Sequence, residues 1–363
     1  MVRISAVDTK IVRVPFTHGY DSTVGRAGNL RLSTLNTLLV RVTTDTGIIG
    51  WGEAFGFDLV DVTKAAIDRL VSPLCIGHDV ADAEGLNAIL SHRLHNYGRN
   101  GPVSFGISGI DIALWDIAGK LAGLPLHRLL GDGGKDIVPA YTSLLRYGDA
   151  ATVESNVRLA VSRGYRAIKL HEIELAVIRA GRNAAPDSVS LMLDVNCHWA
   201  PPQAITFARS LQKERIFFIE EPIWPPEDMI GLGQVSAQSG IPIAAGENAT
   251  LMDFHTMITT GAVRFVQPSV TKIGISGLLK VAAWAAEHGV LVSPHSPYFG
   301  PGLLATVQVA AASKHDIAVE RYGVELAADL FDGAITPVNG RISVPPKPGL
   351  GIDPSEDVIA RFG

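Results

Sequence analysis

The chain is poor in cysteine and aromatic residues and has no long uncharged apolar run. Its 363 residues include two cysteines, Cys75 and Cys197. That excludes a disulfide framework and suits a reducing compartment. No apolar stretch approaches the ~20 residues that a membrane span needs. The N-terminal MVRISAVDTKIVRVPF alternates like a strand and lacks the apolar core of a signal peptide. The expectation is a cytoplasmic protein without a membrane partner. A basic excess is missing as well. The net charge of −5 gives no electrostatic footprint for nucleic acid. What is present is a core-forming composition, 47% hydrophobic and 18% charged, in a chain too long for one compact core.

Residues 2–16 alternate apolar and polar, as in a half-buried antiparallel strand. A polar loop, THGYDSTVGRAGN, leads to a second strand over 35–43. The turn TDTG then leads to a third over 48–52. Residues 58–98 have helical periodicity, and 103–123 form another apolar-striped helix. Strands followed by helices predict an α+β unit over residues 1–130. At LLGDGGKD (129–136) the texture changes to strict strand–helix alternation. Strands fall near 138–143, 166–170, 190–194, 216–220, 242–245, 263–266, 290–292 and 317–320. Seven or eight βα units in succession predict a parallel barrel over 131–324. A doubly wound open sheet is the rival, but the phosphate-binding glycine turn after its first strand is absent. The loop-rich segment 325–363 is expected to pack back on the first unit.

In a parallel barrel the working residues stand at the C-terminal ends of the strands. Three such ends are LMLDVN (191–196), FFIEEP (217–222) and IAAGEN (243–248). Asp194, Glu220 and Glu247 therefore recur at the period of one βα unit. Acids at strand ends are common as solvated loop residues or helix caps, but three in phase are not. Carboxylates without Cys or His select a hard cation, magnesium before zinc. Of the adjacent pair Glu220-Glu221, only one is expected to face inward. Strand two ends in Lys169 and His171, which are two apart and so share a side. Asp194 and Asn196 share a side in the same way. His295 follows strand seven and Glu320 ends strand eight. This inventory suits abstraction of the proton α to a carboxylate, with the enolate held by Mg²⁺, Lys169 and Glu320 as a hydrogen-bond donor.

At this point the chain resembles the mandelate racemase/muconate-lactonizing branch of the enolase superfamily. The run GISGIDIALWDIAGKLAGLPLHRLLG (106–131) is similar to that branch's signature. DVN, IEEP, GEN, KIG (272–274), His295 and Glu320 follow at its spacing. The resemblance implies an α/β fold: a modified TIM barrel, (β/α)7β, with an α+β capping domain completed by the C-terminal segment. It implies Asp194, Glu220 and Glu247 as Mg²⁺ ligands and a homo-oligomer, dimer or octamer. It marks residues 18–28 and 52–57 as the lid that reads the substrate. Within that lid His18, Tyr20 and Arg26, with Asn196 at the rim, are the candidate contacts to a small carboxylate substrate.

Two departures bear on the reaction. The family's Lys-x-Lys is here Lys169-x-His171, so a histidine stands where the second lysine would be the base. The aspartate that supports the strand-seven histidine in racemase-like members is here Ser269. Without that charge His295 is more natural as an acid than as a base. The expectation is a sugar-acid dehydratase in which His171 or Lys169 takes the α-proton and His295 protonates the departing β-hydroxyl. The alternatives are a racemase or epimerase of a hydroxy- or amino-acid derivative, and a catalytically altered barrel kept as a binding protein.

Overall fold

The computed structural model describes residues 1–18, 33–131 and 134–363. Strands β1 (Ile4–Thr17), β2 (Thr34–Thr44) and β3 (Ile49–Ala54) form an antiparallel meander. Gly47, at φ +84°, closes the turn between β2 and β3. Helix Pro102–Ala122 lies across β3. It starts with proline in its first turn and ends at Gly123, which is left-handed. Its Ile110, Ala113, Leu114 and Ile117 are fully buried.

The contact between helix and strand is backbone-close and needs glycine. A Cβ on Gly52 would lie 1.9 Å from the carbonyl oxygen of Gly109. Because a helix backbone cannot yield as a flexible side chain can, Gly52→Ala is expected to cost at least ~3 kcal/mol, measured by denaturant unfolding. A loss below ~0.5 kcal/mol would mean that the strand and helix are free to separate.

Residues 58–98 do not make one continuous helical run. Helices Val60–Ala66, Ile67–Val71 and Ser72–Cys75 run on to Cys75 and stop. Gly77 at φ +82° turns the chain, and Asp82 caps a new helix, Ala83–Arg93, by accepting the Gly85 amide at 2.9 Å. Apolar periodicity carries across this break because both pieces pack on one core.

The second layer is parallel. Strands β4 (Ile137–Ser143), β5 (Ala167–Leu170), β6 (Ser190–Asp194), β7 (Ile216–Glu220), β8 (Ile243–Ala245), β9 (Phe265–Val266), β10 (Leu291–Val292) and β11 (Val319–Tyr322) form one curled sheet in the order β10-β9-β8-β7-β6-β5-β4-β11. A helix follows each strand from β4 to β10, and none directly follows β11 among the described residues. Two short strands come instead. β12 (Glu325–Leu326) pairs antiparallel with β1, and β13 (Arg341–Ser343) pairs antiparallel with the start of β4. The last helix, Glu356–Phe362, packs on β1. Inside the sheet, Tyr141, Met192, Phe218, Ala244 and Phe265 form an apolar plug. Because strand side chains alternate, Asp194 stands directly above Met192 and Glu220 above Phe218. The acid layer therefore rests on the plug. No described helix is long and apolar enough to cross a membrane.

Two buried acids tie the two layers together, and a third ties the first layer to the C-terminal segment. Asp111 accepts from the Ser276 amide and hydroxyl. Asp116 accepts from the amides of Trp51 and Leu350 and pairs with Lys120. Glu53, on β3, accepts the Gly302 amide at 2.8 Å, at the start of helix Pro301–Ala312. Burial pushes the Glu53 carboxyl from 4.5 up to about 8, against the backbone hydrogen bonds that lower it. The folded chain thus keeps a proton that the unfolded chain releases. This contribution is complete below the unfolded value and is lost as pH rises through the folded one. The stability of Glu53→Gln relative to wild type is therefore expected to rise between about pH 5 and 8, by on the order of 1 kcal/mol per pH unit. Parallel unfolding curves across that range would mean that Glu53 is ionised in the folded protein.

Candidate active site

Asp194 ends β6, Glu220 ends β7 and Glu247 follows β8, so neighbouring strands deliver the three acids to one rim. One oxygen from each lies within 4.8 Å of the others. Lys169, at the end of β5, reaches into the same cluster. Its Nζ donates to both oxygens of Glu220 at 2.8 and 2.9 Å. It also meets Glu320 Oε1 at 2.8 Å and lies 3.6 Å from Asp194 Oδ2. The lysine is only 1% exposed. Burial alone would push its ammonium down, but Glu220 and Glu320 hold it well above its usual range.

The acids divide by their neighbours. Burial and the Asp194 charge push Glu220 well up, against Lys169. Burial also opposes ionisation of Asp194, yet His171 and Lys169 keep its carboxyl low. Glu247 sits at about 2, with His295 and Lys272 outweighing burial. Like charges this close cannot all be held by one lysine. A divalent cation resolves that conflict, and the all-oxygen donor set fits one. Asp194 Oδ2 is buried without a hydrogen-bond partner among the described residues. Its near neighbour, His171 Nε2 at 3.1 Å, approaches without hydrogen-bond geometry. Cys197 is no rival ligand, because burial and the surrounding acids push its thiol far up.

The histidines flank the acids. His171 Nδ1 faces the carbonyl oxygen of Leu144. A carbonyl only accepts, so Nδ1 carries a proton and Nε2 faces Asp194. His295 Nε2 lies 3.0 Å from Glu247 Oε2. Its Nδ1 is 3.0 Å from Ser269 Oγ and 3.3 Å from the Tyr298 hydroxyl. Ser269 and Tyr298 are themselves in hydrogen-bond contact. Two neutral hydroxyls thus stand behind His295 in place of an aspartate. Glu320 accepts on both oxygens, from Lys169 and, at 2.9 Å, from the Ser296 amide. Burial would raise its carboxyl, but Lys169 and His295 bring it below the usual range. Both of its oxygens are thus engaged by neighbouring donors.

Asn196 closes the rim. Its amide donates to Asp194 Oδ1 at 2.9 Å, and its side-chain oxygen accepts from Arg146 at 3.2 Å. Arg146 also donates to the His171 carbonyl. Asn196, Cys197 and Glu221 all have positive φ. Non-glycine residues pay for that conformation, and such strain gathers at working sites. In Glu221 the turn buries a second acid where one was expected to face away. Its carboxylate accepts the Gly246 amide at 2.8 Å, and burial, with the Glu247 charge, pushes it up to about 8. His18 lies outside the acid cluster, against the ring of Tyr147 at 5.8 Å. Tyr20, Arg26 and the rest of 19–28 lie outside the described residues. In the second lid segment, Phe55 packs on Phe57 and Phe105 and carries the Lys272 ammonium 4.1 Å above its ring. Arg146 and Tyr298 have no strand-end signature to mark them in advance; each reaches the site through a bend after a strand.

A capped parallel barrel with a candidate divalent-cation site at its C-terminal rim is the architecture of an enolase-like enzyme. The family comparisons agree with it. Residues 28–131 match the mandelate racemase/muconate lactonizing enzyme N-terminal domain, and residues 152–358 match the enolase C-terminal domain-like model. The chain belongs to this branch of the enolase superfamily. It is 31% identical over 361 residues to a 3,6-anhydro-alpha-L-galactonate cycloisomerase of Streptomyces coelicolor, covering 96% of each chain. It is 29% identical to an arabinonate dehydratase of Saccharolobus solfataricus, covering 90% of this chain and 91% of that one. The crystal structure of a racemase from Streptomyces coelicolor A3(2) with bound magnesium superposes with a TM-score of 0.86 at 28% identity, over 99% of both chains.

Proposed function

We propose that the protein is a Mg²⁺-dependent sugar-acid dehydratase. The observation that carries this reading is the pair of histidines beside the three acids, His171 with Nε2 3.1 Å from Asp194 and His295 with Nε2 3.0 Å from Glu247. Asp194, Glu220 and Glu247 would hold the ion. When bound, it offsets the second negative charge that develops on a substrate carboxylate as the α-proton leaves. Lys169 is placed to bind that carboxylate, and Glu320 and Glu220 hold the ammonium in line. His171, with Nδ1 pinned by Leu144, offers Nε2 to the α-proton. The C–H electron pair moves into the enolate and then expels the β-hydroxyl, which leaves as water with a proton from His295. The resulting enol tautomerises to a 2-keto acid.

A second reading is favoured by the relative whose name is a cycloisomerase. In a 3,6-anhydro sugar acid the β-substituent is the ring oxygen. The same proton abstraction would open the ring without loss of water. One experiment separates the readings. The Mg²⁺-loaded protein is incubated in D₂O with a panel of aldonic and anhydro-aldonic acids. A product lighter by one water supports the dehydratase, and an isomer of unchanged mass supports the cycloisomerase. Exchange at the α-carbon with inversion and no elimination would point to a racemase. No turnover and no exchange with any carboxylate would sink all three.

The metal has its own test. Saturating Mg²⁺ is expected to raise the unfolding free energy by about 2.7 kcal/mol at a hundred times Kd, and Glu247→Gln to abolish the increase. An equal increase in the variant would remove Glu247 from the site.

A further inference from the structure

Among the described residues, the one barrel strand not directly followed by a helix is β11. Residues 325–343 follow it in extended and irregular form. They leave a cavity of about 580 Å³ between β4, β11, helix Ala150–Ser162 and residues 336–339. That volume lies in the range of small-molecule pockets, roughly 300–1,000 Å³. Glu320 and Arg321 are neighbours on β11 and so face opposite ways. Glu320 meets Lys169 on the inside, while Arg321 lines the outer cavity.

Arg321 is 8% exposed. Its guanidinium lies 4.2 Å over the Phe299 ring. Its Nη1 has no hydrogen-bond partner among the described residues, and it makes no ion pair with them. Buried charges are normally paired, and burial here works against the cation. Asp329, in the same wall, acts on it only from beyond ion-pair distance, and one of its oxygens is taken by the Phe331 amide at 2.7 Å. The other cation of the wall, Arg163, is already engaged by Glu325. A second buried polar atom in this wall is also unsatisfied. Nδ1 of His18 has no partner among the described residues. Thr142, Thr336 and Asn339 add hydroxyl and amide groups. The cavity therefore combines an unspent guanidinium edge with polar walls and room for more than a lone ion.

We propose that this cavity is a second small-molecule site, which takes the oxyanion head of a polyhydroxylated ligand on Arg321. The head is a carboxylate or a phosphate, and the walls take the hydroxyls. The site lies on the outer side of β11, behind Glu320, and does not depend on which reaction the three acids serve.

The test uses D-gluconate and inorganic phosphate as probes, with EDTA present and in both wild-type protein and Glu247→Gln. Calorimetry and thermal shift are expected to show saturable binding that survives Glu247→Gln and weakens at least about tenfold in Arg321→Gln. Preference for gluconate assigns the head as carboxylate, and preference for phosphate assigns it as phosphate. Binding lost in Glu247→Gln but kept in Arg321→Gln would place the ligand in the acid cluster and overturn the proposal, as would absence of binding by both probes. If Arg321→Gln does not fold, wild-type crystals soaked in sodium bromide supply the second measurement. An anomalous peak within hydrogen-bond reach of Arg321 Nη1 supports the site, and its absence there overturns it.

Discussion

Lys169→Met is expected to reduce turnover by at least about a thousandfold, because it removes the fixed positive charge aimed at the substrate carboxylate. The same change should be visible without substrate. Nζ of Lys169 touches both oxygens of Glu220 and one of Glu320, with all three side chains at or below 1% exposure. Removing one partner from such a buried cluster costs about 3–5 kcal/mol, since the acids left behind are uncompensated. In EDTA the variant should unfold at correspondingly lower denaturant. Mg²⁺ should return part of the loss, because a divalent ion answers the same carboxylates. Lys169→Arg should not restore activity, since a planar fork cannot take the place of a compact ammonium among three acids. Activity within tenfold of wild type in the methionine variant would remove Lys169 from the mechanism. Unchanged stability in EDTA would mean that the ion cluster is not formed in solution.

The second large effect separates the two histidines. His171→Asn is expected to lose α-proton exchange in D₂O together with turnover, by roughly 10²–10⁴-fold. His295→Asn is expected to lose elimination to a similar extent while α-exchange persists, because the proton is taken on the other flank. Measuring exchange by NMR and product by mass spectrometry on the same samples makes the comparison internal. The reverse pattern, with exchange surviving in His171→Asn and failing in His295→Asn, would exchange the two roles. Loss of exchange in both would mean that each histidine acts on the same proton.

The rim acids are legible in sequence because a strand end is a local feature and the βα period repeats it. Asp194, Glu220 and Glu247 each end an apolar run, so spacing alone brings them into phase. Lys169 and His171 follow from alternation along a single strand. The rest is set by tertiary approach. Glu53, Asp111 and Asp116 resemble ordinary surface charges of a strand and a helix until distant parts of the chain, the second layer for the first two and the C-terminal segment for Asp116, arrive to supply amide donors. Glu221 reads as the outward partner of Glu220, yet a left-handed backbone turns it under Gly246. The break at 76–82 is masked by apolar residues that serve one core on both sides of it. β12 and β13, of two and three residues, are too short to have any period at all. In the lid, Tyr20 and Arg26 lie outside the described residues, and His18 packs beside a cavity on the outer face of the barrel.

The pairing of β1 with β12 has a consequence for how the molecule is made. Phe16 and Thr17 leave the ribosome before the barrel strands, but their partners, Leu326 and Glu325, are translated after them. The edge of the first sheet must therefore stay open while the whole barrel is synthesised, exposing unpaired amides and carbonyls to neighbouring chains. Ribosome-stalled chains ending before residue 325 should hold this edge unprotected in hydrogen exchange. Chains long enough to release it should gain protection at the Ala327 amide, which donates to the Pro15 carbonyl oxygen, in a single late step.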